Sequence, residues 1–315
     1  MNLHKFSNII NDKNFNEAVK LQAFDDFYNY YSDLLKKVLK NRSFSERQLS
    51  VDIFRKKWTE GKSETVFKKL FYASFKTLER IKTGIQTGQV NNYNVGNGKS
   101  TINNFADMLS VFSYDVYQLV RHAEQNYNNH SLRYKMGSAN GSSSEAIFEN
   151  GTIILHIKHF GTDSIHYRDF FSYTVFTIRL LIEVAGKKIV GFHSITDDKG
   201  ERLKKIKTQV AWEFIKKDQL NHKRIQLPIE IDTILEIEKW TNRFVHTGYV
   251  QPIFLVENAL SFLNKLTTPY STKISNYNDM KSEFEEFVAD KLNTQQNIQI
   301  NWMNEKRTES KIISK

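Results

Sequence analysis

The residue types best suited to acid–base chemistry occur together at Asn242, Arg243 and His246. On a helix, His246 lies four residues after Asn242 and three after Arg243, so the three side chains would share one face. An arginine can neutralise charge that develops on a phosphodiester, and a histidine can transfer the proton. The spacing therefore predicts a catalytic role for these residues in metal-independent phosphodiester cleavage.

This arrangement resembles, with departures, the motif of the helical HEPN ribonucleases, in which an arginine, often followed by asparagine, has a histidine four to six residues beyond it. Here Asn242 precedes Arg243, and two residues separate Arg243 from His246. The resemblance implies an RNA-cleaving enzyme. The alternative interpretation is a helix terminus, because Arg and His favour the negative end of the helix dipole and Gly248 suits a left-handed C-cap.

The segment Asn94–Thr101 (NVGNGKST) has the ending of a phosphate-binding loop, but Tyr93 stands where such a loop needs its first glycine. We interpret it as a glycine-rich loop that leads into a helix capped by Ser100 or Thr101. The pattern predicts no nucleotide cofactor.

A group of four histidines could suggest a metal site. Two of them, His156 and His159, would point to opposite faces of a strand, since side chains alternate along it. The other two are His166 and His193, and the chain has no cysteine, which excludes thiolate zinc sites and disulfides. We therefore expect neither a metal nor a cofactor.

Positive charge is the strongest compositional signal, with 45 Lys and Arg against 35 Asp and Glu. The excess concentrates in residues 36–82 and 199–224, where aromatic side chains interleave with the first group. Basic clusters attract phosphates, and exposed aromatic rings stack on unpaired bases. We therefore predict nucleic-acid contacts at these positions: Lys56, Lys57, Trp58, Lys68, Lys69, Lys204, Lys205 and Lys207.

Apolar side chains recur at three- and four-residue intervals from residue 15 to 82 and from about Ile102 to Gln125, which predicts helices. After the small polar run GSANGSSS, β-branched and aromatic residues predict strands, above all from Asp169 to Val184. Further helices are predicted around residues 210–217, 232–246, 252–266 and 279–292.

These patterns predict an α+β fold in which a mostly helical N-terminal region precedes an antiparallel β-meander flanked by helices. The predicted domain limits are 1–136 for the helical domain, 137–145 for a flexible linker, and 146–315 for an α+β domain with C-terminal helices. No stretch reaches the roughly 20 apolar residues of a membrane span, and the first residues do not form a signal peptide, so we expect a cytoplasmic protein without a membrane partner.

Three functions are consistent with these observations. The first is a cytosolic bacterial protein that contacts nucleic acid through basic helices, with a place in phage defence or a mobile element as a hypothesis. The second is the HEPN-like ribonuclease that uses Arg243 and His246. The third is a protein–protein adaptor or regulator without enzymatic activity.

Overall fold

Helices form most of the chain in the computed structural model, which describes residues 3–40, 42–54, 63–90, 93–94, 101–126, 167–196, 209–247, 252–267, 272–292 and 299–303. Over these residues the α+β class is confirmed, since helices dominate and the strands pair as small antiparallel sheets of two strands each. The predicted linker at 137–145 lies outside the described residues, and that boundary stays a prediction.

The chain divides into two compact units. Unit 1 comprises Met1–Phe176 and Lys239–Phe262, and unit 2 comprises Thr177–Glu238 and Leu263–Lys315. Each unit is therefore built from two separate stretches of the chain.

The N-terminal part of unit 1 is built on helices that, apart from the first, lie largely in the predicted stretches 15–82 and about 102–125; the first helix was not predicted. Their bounds are α1 Leu3–Asn11, α2 Glu17–Leu39, α3 Glu46–Ile53, α4 Ser63–Thr87 and α5 Ala106–Asn126, with a 3-10 turn at Ile102–Phe105. Between α4 and the turn, β1 (Gln89–Val90) pairs antiparallel with β2 (Tyr93–Asn94).

Side chains outside the helices fix where these helices begin and end. Asn16 caps α2 by accepting a hydrogen bond from the Val19 amide at 3.0 Å. Ser45 and Gln48 form a capping box at the start of α3, and Thr101 is the residue that caps the 3-10 turn before α5. Lys40 ends α2 with a left-handed backbone, at φ 50°.

The core of unit 1 is aromatic where α1, α2 and α4 meet. The rings of Phe6 and Phe27 stack at 4.3 Å between centroids, and those of Tyr31 and Phe71 at 4.5 Å. The fully buried Tyr31 hydroxyl lies 2.6 Å from Ser74 Oγ, so its polar atom is satisfied inside the core. The packing holds α2 and α4 in one register.

The second half of the described chain contributes five more helices and four strands. In chain order these are α6 Tyr167–Val190, β3 Phe192–Thr196, α7 Val210–Asn221, β4 Ile225–Gln226, α8 Ile231–Thr247, α9 Ile253–Thr267, β5 Lys273–Ile274, α10 Tyr277–Leu292 and β6 Gln299–Trp302. Strand β3 pairs with β6, and β4 with β5, both antiparallel. Helices α6, α8 and α9 each carry residues of both units.

The segment from Asp169 to Val184 lies in helix α6, so the long strand predicted there is wrong. Val175, Ile178 and Ile182 are buried at helical spacing, whereas Leu180 on the opposite face is exposed. The β-branched and aromatic composition favoured a strand, but burial of one stripe along a helix outweighs that weak preference. The sheet partner of β3 is therefore the distant β6.

Helix α6 stops at Gly191, which has a φ of 93° that side chains with a Cβ rarely adopt. The Gly191 amide donates a hydrogen bond to the Lys187 carbonyl at 2.7 Å, and β3 begins at the next residue. None of the helices in the described ranges combines the length and the apolar character needed to cross a bilayer.

Candidate nucleic-acid interface

The Asn242–His246 motif lies in the last turns of α8, because that helix runs to Thr247 as the sequence predicts. Arg243 donates a hydrogen bond from Nη2 to the carbonyl of Phe54, the residue that caps the C-terminus of α3. The ring of Trp240, one turn earlier, packs on the ring of Phe54 at 5.1 Å between centroids. The guanidinium thus satisfies an orphan carbonyl at the negative end of α3.

This geometry predicts a structural effect for Arg243. We expect Arg243→Ala to lower the free energy of unfolding by about 1.5–3 kcal/mol, the range for a lost hydrogen bond to a charged group. Chemical denaturation of the purified variant measures it, with Arg243→Lys as the variant that keeps the charge. A fully stable Arg243→Ala protein that loses RNA cleavage in EDTA would instead favour the ribonuclease hypothesis. The side chain of His246 and residue Gly248 lie outside the described part.

Two of the lysines predicted to contact nucleic acid lie on α4, and both are paired with carboxylates. Lys69 is only 8% exposed; its ammonium forms an ion pair with Asp52 and donates to the Gln48 carbonyl at 2.7 Å. Lys68 Nζ lies 2.6 Å from Glu64 Oε1. Lys69 therefore connects α4 to α3 inside the fold, while Lys68 borders solvent.

The pairing extends to every basic residue of α4. The other pairs are Lys76–Glu79 at 2.6 Å, Lys82–Asp25 at 3.3 Å and Arg80–Glu257, the last with a carboxylate that is largely buried. A count of charges along the sequence therefore overstates the positive field of this helix. The remaining predicted contact residues, Lys56, Lys57, Trp58, Lys204, Lys205 and Lys207, lie outside the described residues.

Exposed positive charge in unit 1 gathers instead where α2 ends. Within the described residues, Lys37, Lys40 and Arg42 are exposed and make no ion pair, whereas Lys36 pairs with Asp33 at 3.1 Å. We call Lys36, Lys37, Lys40, Arg42 and Lys68 the basic end. The prediction from sequence included these residues in a basic run without singling them out. A local signal was present, because residues 34–45 contain four basic side chains and no acid.

Three helices of unit 1 reach this end. Tyr31 of α2 stacks on Phe71 of α4, and Tyr30 donates a hydrogen bond to Glu124 near the end of α5. His122 of α5 meets Phe67, in the second turn of α4, at 4.3 Å between ring centroids. The C-terminal turns of α2 and α5 therefore lie beside the N-terminal turns of α4.

Glu64 reports the local electrostatics of the basic end. The hydrogen bond and the charge of Lys68 lower the pKa of the Glu64 carboxyl, and the charges of Arg42 and Lys40 lower it further. Burial lowers the pKa of His122, although the charge of Glu64 opposes it. At neutral pH the carboxylate is thus ionised and the imidazole neutral. Asp33 and Glu64 each pair with one lysine of the basic end, and Lys37, Lys40 and Arg42 make no ion pair within the described residues.

The other patterns found in the sequence contribute little to a described site. His193 is exposed on β3, and the remaining histidines of its predicted group, together with residues 95–100 of the glycine-rich loop, lie outside the described ranges. No group of three metal-ligating side chains occurs among the residues that the structure describes.

Comparisons with known proteins identify no relative from which a function could be carried over. No protein-family model matches the chain, and neither a curated protein nor a solved structure resembles it significantly. The functional argument therefore rests on the geometry of this molecule.

Proposed function

We propose that the protein binds nucleic acid, and that the basic end of unit 1 is where the phosphates are held. The observation that carries this proposal is the exposure of Lys37, Lys40 and Arg42 without a carboxylate partner in the described chain. The basic residues of α4, in contrast, are neutralised by acids.

A polyanion is the ligand that this chemistry favours. Exposed ammonium and guanidinium groups that are not paired within the protein exchange counterions for phosphates, and each exchange raises affinity at low salt. The overall charge of +10 adds a long-range attraction that speeds encounter with any polyanion. Lys37 and Lys40 lie three residues apart at the end of α2 and Arg42 follows two residues later, which concentrates their charges at one place on the chain.

Charge reversal at the basic end tests the proposal. We expect Lys37→Glu, Lys40→Glu and Arg42→Glu combined to reduce the slope of log affinity against log salt by about 2 to 3, since each phosphate contact contributes roughly 0.7–0.9. Unfolding free energy should change by less than about 0.5 kcal/mol for each site, because these side chains are exposed. Fluorescence anisotropy with a labelled oligonucleotide at several salt concentrations measures the slope.

The matched control carries the same change of net charge elsewhere. Lys13, Lys223 and Lys273 are exposed and lie away from the basic end in sequence, so their combined change to Glu should leave most of the slope intact. Equal reductions of the salt slope in both triple variants would mean that only net charge matters. An unchanged slope in the variant of the basic end would contradict the proposal. A stable heteromeric complex formed without nucleic acid would favour the adaptor hypothesis.

A further inference from the structure

A group of polar side chains lies where α9 packs against α4, inside unit 1. We call its members, Thr77 and Arg80 of α4 with Glu257 and Asn258 of α9, the polar cluster. Thr77 and Asn258 are completely buried, and Glu257 is 7% exposed. Buried apolar residues of the same two helices flank the cluster: Ala73, Leu78, Phe254 and Val256. The polar atoms therefore need hydrogen-bond partners in place of bulk water.

The donors of the Asn258 amide and the Nε of Arg80 have acceptors within the protein. Asn258 Nδ2 donates to the carbonyl of Ala73 at 2.9 Å and to that of Phe254 at 2.6 Å. Arg80 Nε donates to Glu257 Oε2, so the guanidinium and the carboxylate form an ion pair. These bonds fix the orientation of the amide and engage one oxygen of the carboxylate.

The other oxygen of each of the two α9 side chains has no donor. Glu257 Oε1 and Asn258 Oδ1 are buried and accept no hydrogen bond from the residues that the structure describes. We call these two atoms the orphan oxygens. A buried acceptor without a donor costs the full desolvation penalty of that group, and the penalty is larger for a charged one. Both orphan oxygens therefore call for a donor from outside the chain.

The two orphan oxygens belong to one connected cluster. Arg80 Nη2 and Asn258 Nδ2 each lie 3.3 Å from Thr77 Oγ1. The guanidinium that holds Glu257 and the amide of Asn258 thus meet at a single hydroxyl on α4. That hydroxyl donates in turn to the Ala73 carbonyl at 3.4 Å, so its proton is directed away from the orphan oxygens.

We propose that the polar cluster is a binding site for internal water, which donates hydrogen bonds to both orphan oxygens. Water suits the site because buried waters bind to polar groups that the protein leaves unsatisfied. A cation does not suit it, since Arg80 already neutralises the Glu257 carboxylate and would repel a second positive charge. A larger donor needs more room than a close-packed interior leaves.

Arg80 provides the route by which water reaches the site. Its side chain is 20% exposed, whereas that of its partner Glu257 is 8% exposed, so the ion pair extends from the solvent to the buried end of the cluster. The bound water is therefore an inward extension of the hydration of α4.

A crystal structure of the full chain, grown once from sodium salts and once from rubidium salts, tests the inference. We expect an ordered peak about 2.5–3.0 Å from each orphan oxygen, either from one water that bridges them or from two. The peaks should carry no anomalous signal in the rubidium crystals. Absence of a peak at either oxygen would overturn the inference, and so would rubidium at the site.

Oxygen-17 relaxation dispersion gives a second test in solution, because it counts long-lived internal waters. Arg80→Met, Glu257→Leu and Asn258→Leu combined remove both orphan oxygens and leave no unpaired charge, so the count should fall by about one or two waters. The matched control is Lys216→Met with Asp232→Leu, which removes a partly solvated ion pair and should leave the count unchanged. A folded triple variant with the wild-type count would contradict the inference.

Discussion

Replacing Lys69 with glutamate is expected to lower the free energy of unfolding by about 3–5 kcal/mol, as does removal of one partner from a buried ion pair. The side chains of Lys69 and Asp52 are 10% and 13% exposed, so the new carboxylate would lie beside an existing one with little water. The hydrogen bond to the Gln48 carbonyl would also be lost. Urea denaturation followed by circular dichroism measures the change.

Lys40→Glu is the matched control, because it makes the same change of charge on an exposed side chain. It should alter stability by less than about 0.5 kcal/mol while it weakens nucleic-acid binding. Lys69→Met combined with Asp52→Leu should recover much of the lost stability, since two apolar groups remove the unpaired charge. A Lys69→Glu protein as stable as the control would contradict the buried pair.

The contrast between Lys69 and Lys40 shows what the sequence could not reveal about the candidate interface. Both belong to one basic run, but Lys69 meets a carboxylate 17 residues away, and Arg80 meets one 177 residues away. Such pairs depend on packing of α4 against other elements, which no local spacing encodes. Composition predicts the sign of the field, whereas the exposed sites follow only from the fold.

Most helices were predictable because their apolar residues recur with the helical period and their ends carry recognisable caps. Helix α5 shows both signals, with Thr101 ahead of its 3-10 turn and Leu109, Phe112 and Val116 on its buried face. Helix α8 likewise runs to Thr247, within one residue of the end expected from sequence. Helical periodicity and capping residues involve only neighbouring positions, so both can be recognised in the sequence alone.

Helix α6 was mispredicted because composition and periodicity disagreed there. Aromatic and β-branched residues occupy both faces of the segment, including the exposed Phe176 and Val184, so the helical stripe is hard to distinguish. The Arg179–Glu183 pair, with Nε and Oε1 at 2.9 Å, was the local sign of a helix, since it joins residues one turn apart. Each compact unit combines separate stretches of the chain, and that combination depends on contacts between distant segments rather than on local sequence.

Asp218→Ala is expected to destabilise unit 2 by about 3–5 kcal/mol, because its carboxylate is fully buried and neutralises a guanidinium. One oxygen accepts from Arg224 Nε at 2.6 Å, and the other accepts from the Ile225 amide at 2.9 Å. Without them, Glu283 is the carboxylate that Arg224 keeps among the described residues, and the first amide of β4 loses its partner. Denaturation monitored by circular dichroism gives the total effect.

A matched carboxylate separates burial from ion pairing as the cause. Asp232 pairs with Lys216 at 2.9 Å, but both side chains are partly solvated. Asp232→Ala should therefore change stability by no more than about 1 kcal/mol. Similar effects for the two alanine variants would mean that the Asp218 network gains nothing from its burial.

Removal of the Asp218 side chain should also affect more than one hydrogen bond, because that residue belongs to a network. Asp218 accepts from the amides of His222 and Lys223 through its backbone carbonyl, and its side chain orders the next residues into β4, which pairs Ile225 with Ile274 of β5. When the side chain is removed, the turn and both strands lose their common anchor, so amide exchange at Ile225 and Ile274 should accelerate together. Faster exchange at Ile225 alone would show that β5 is held independently of the Asp218 carboxylate.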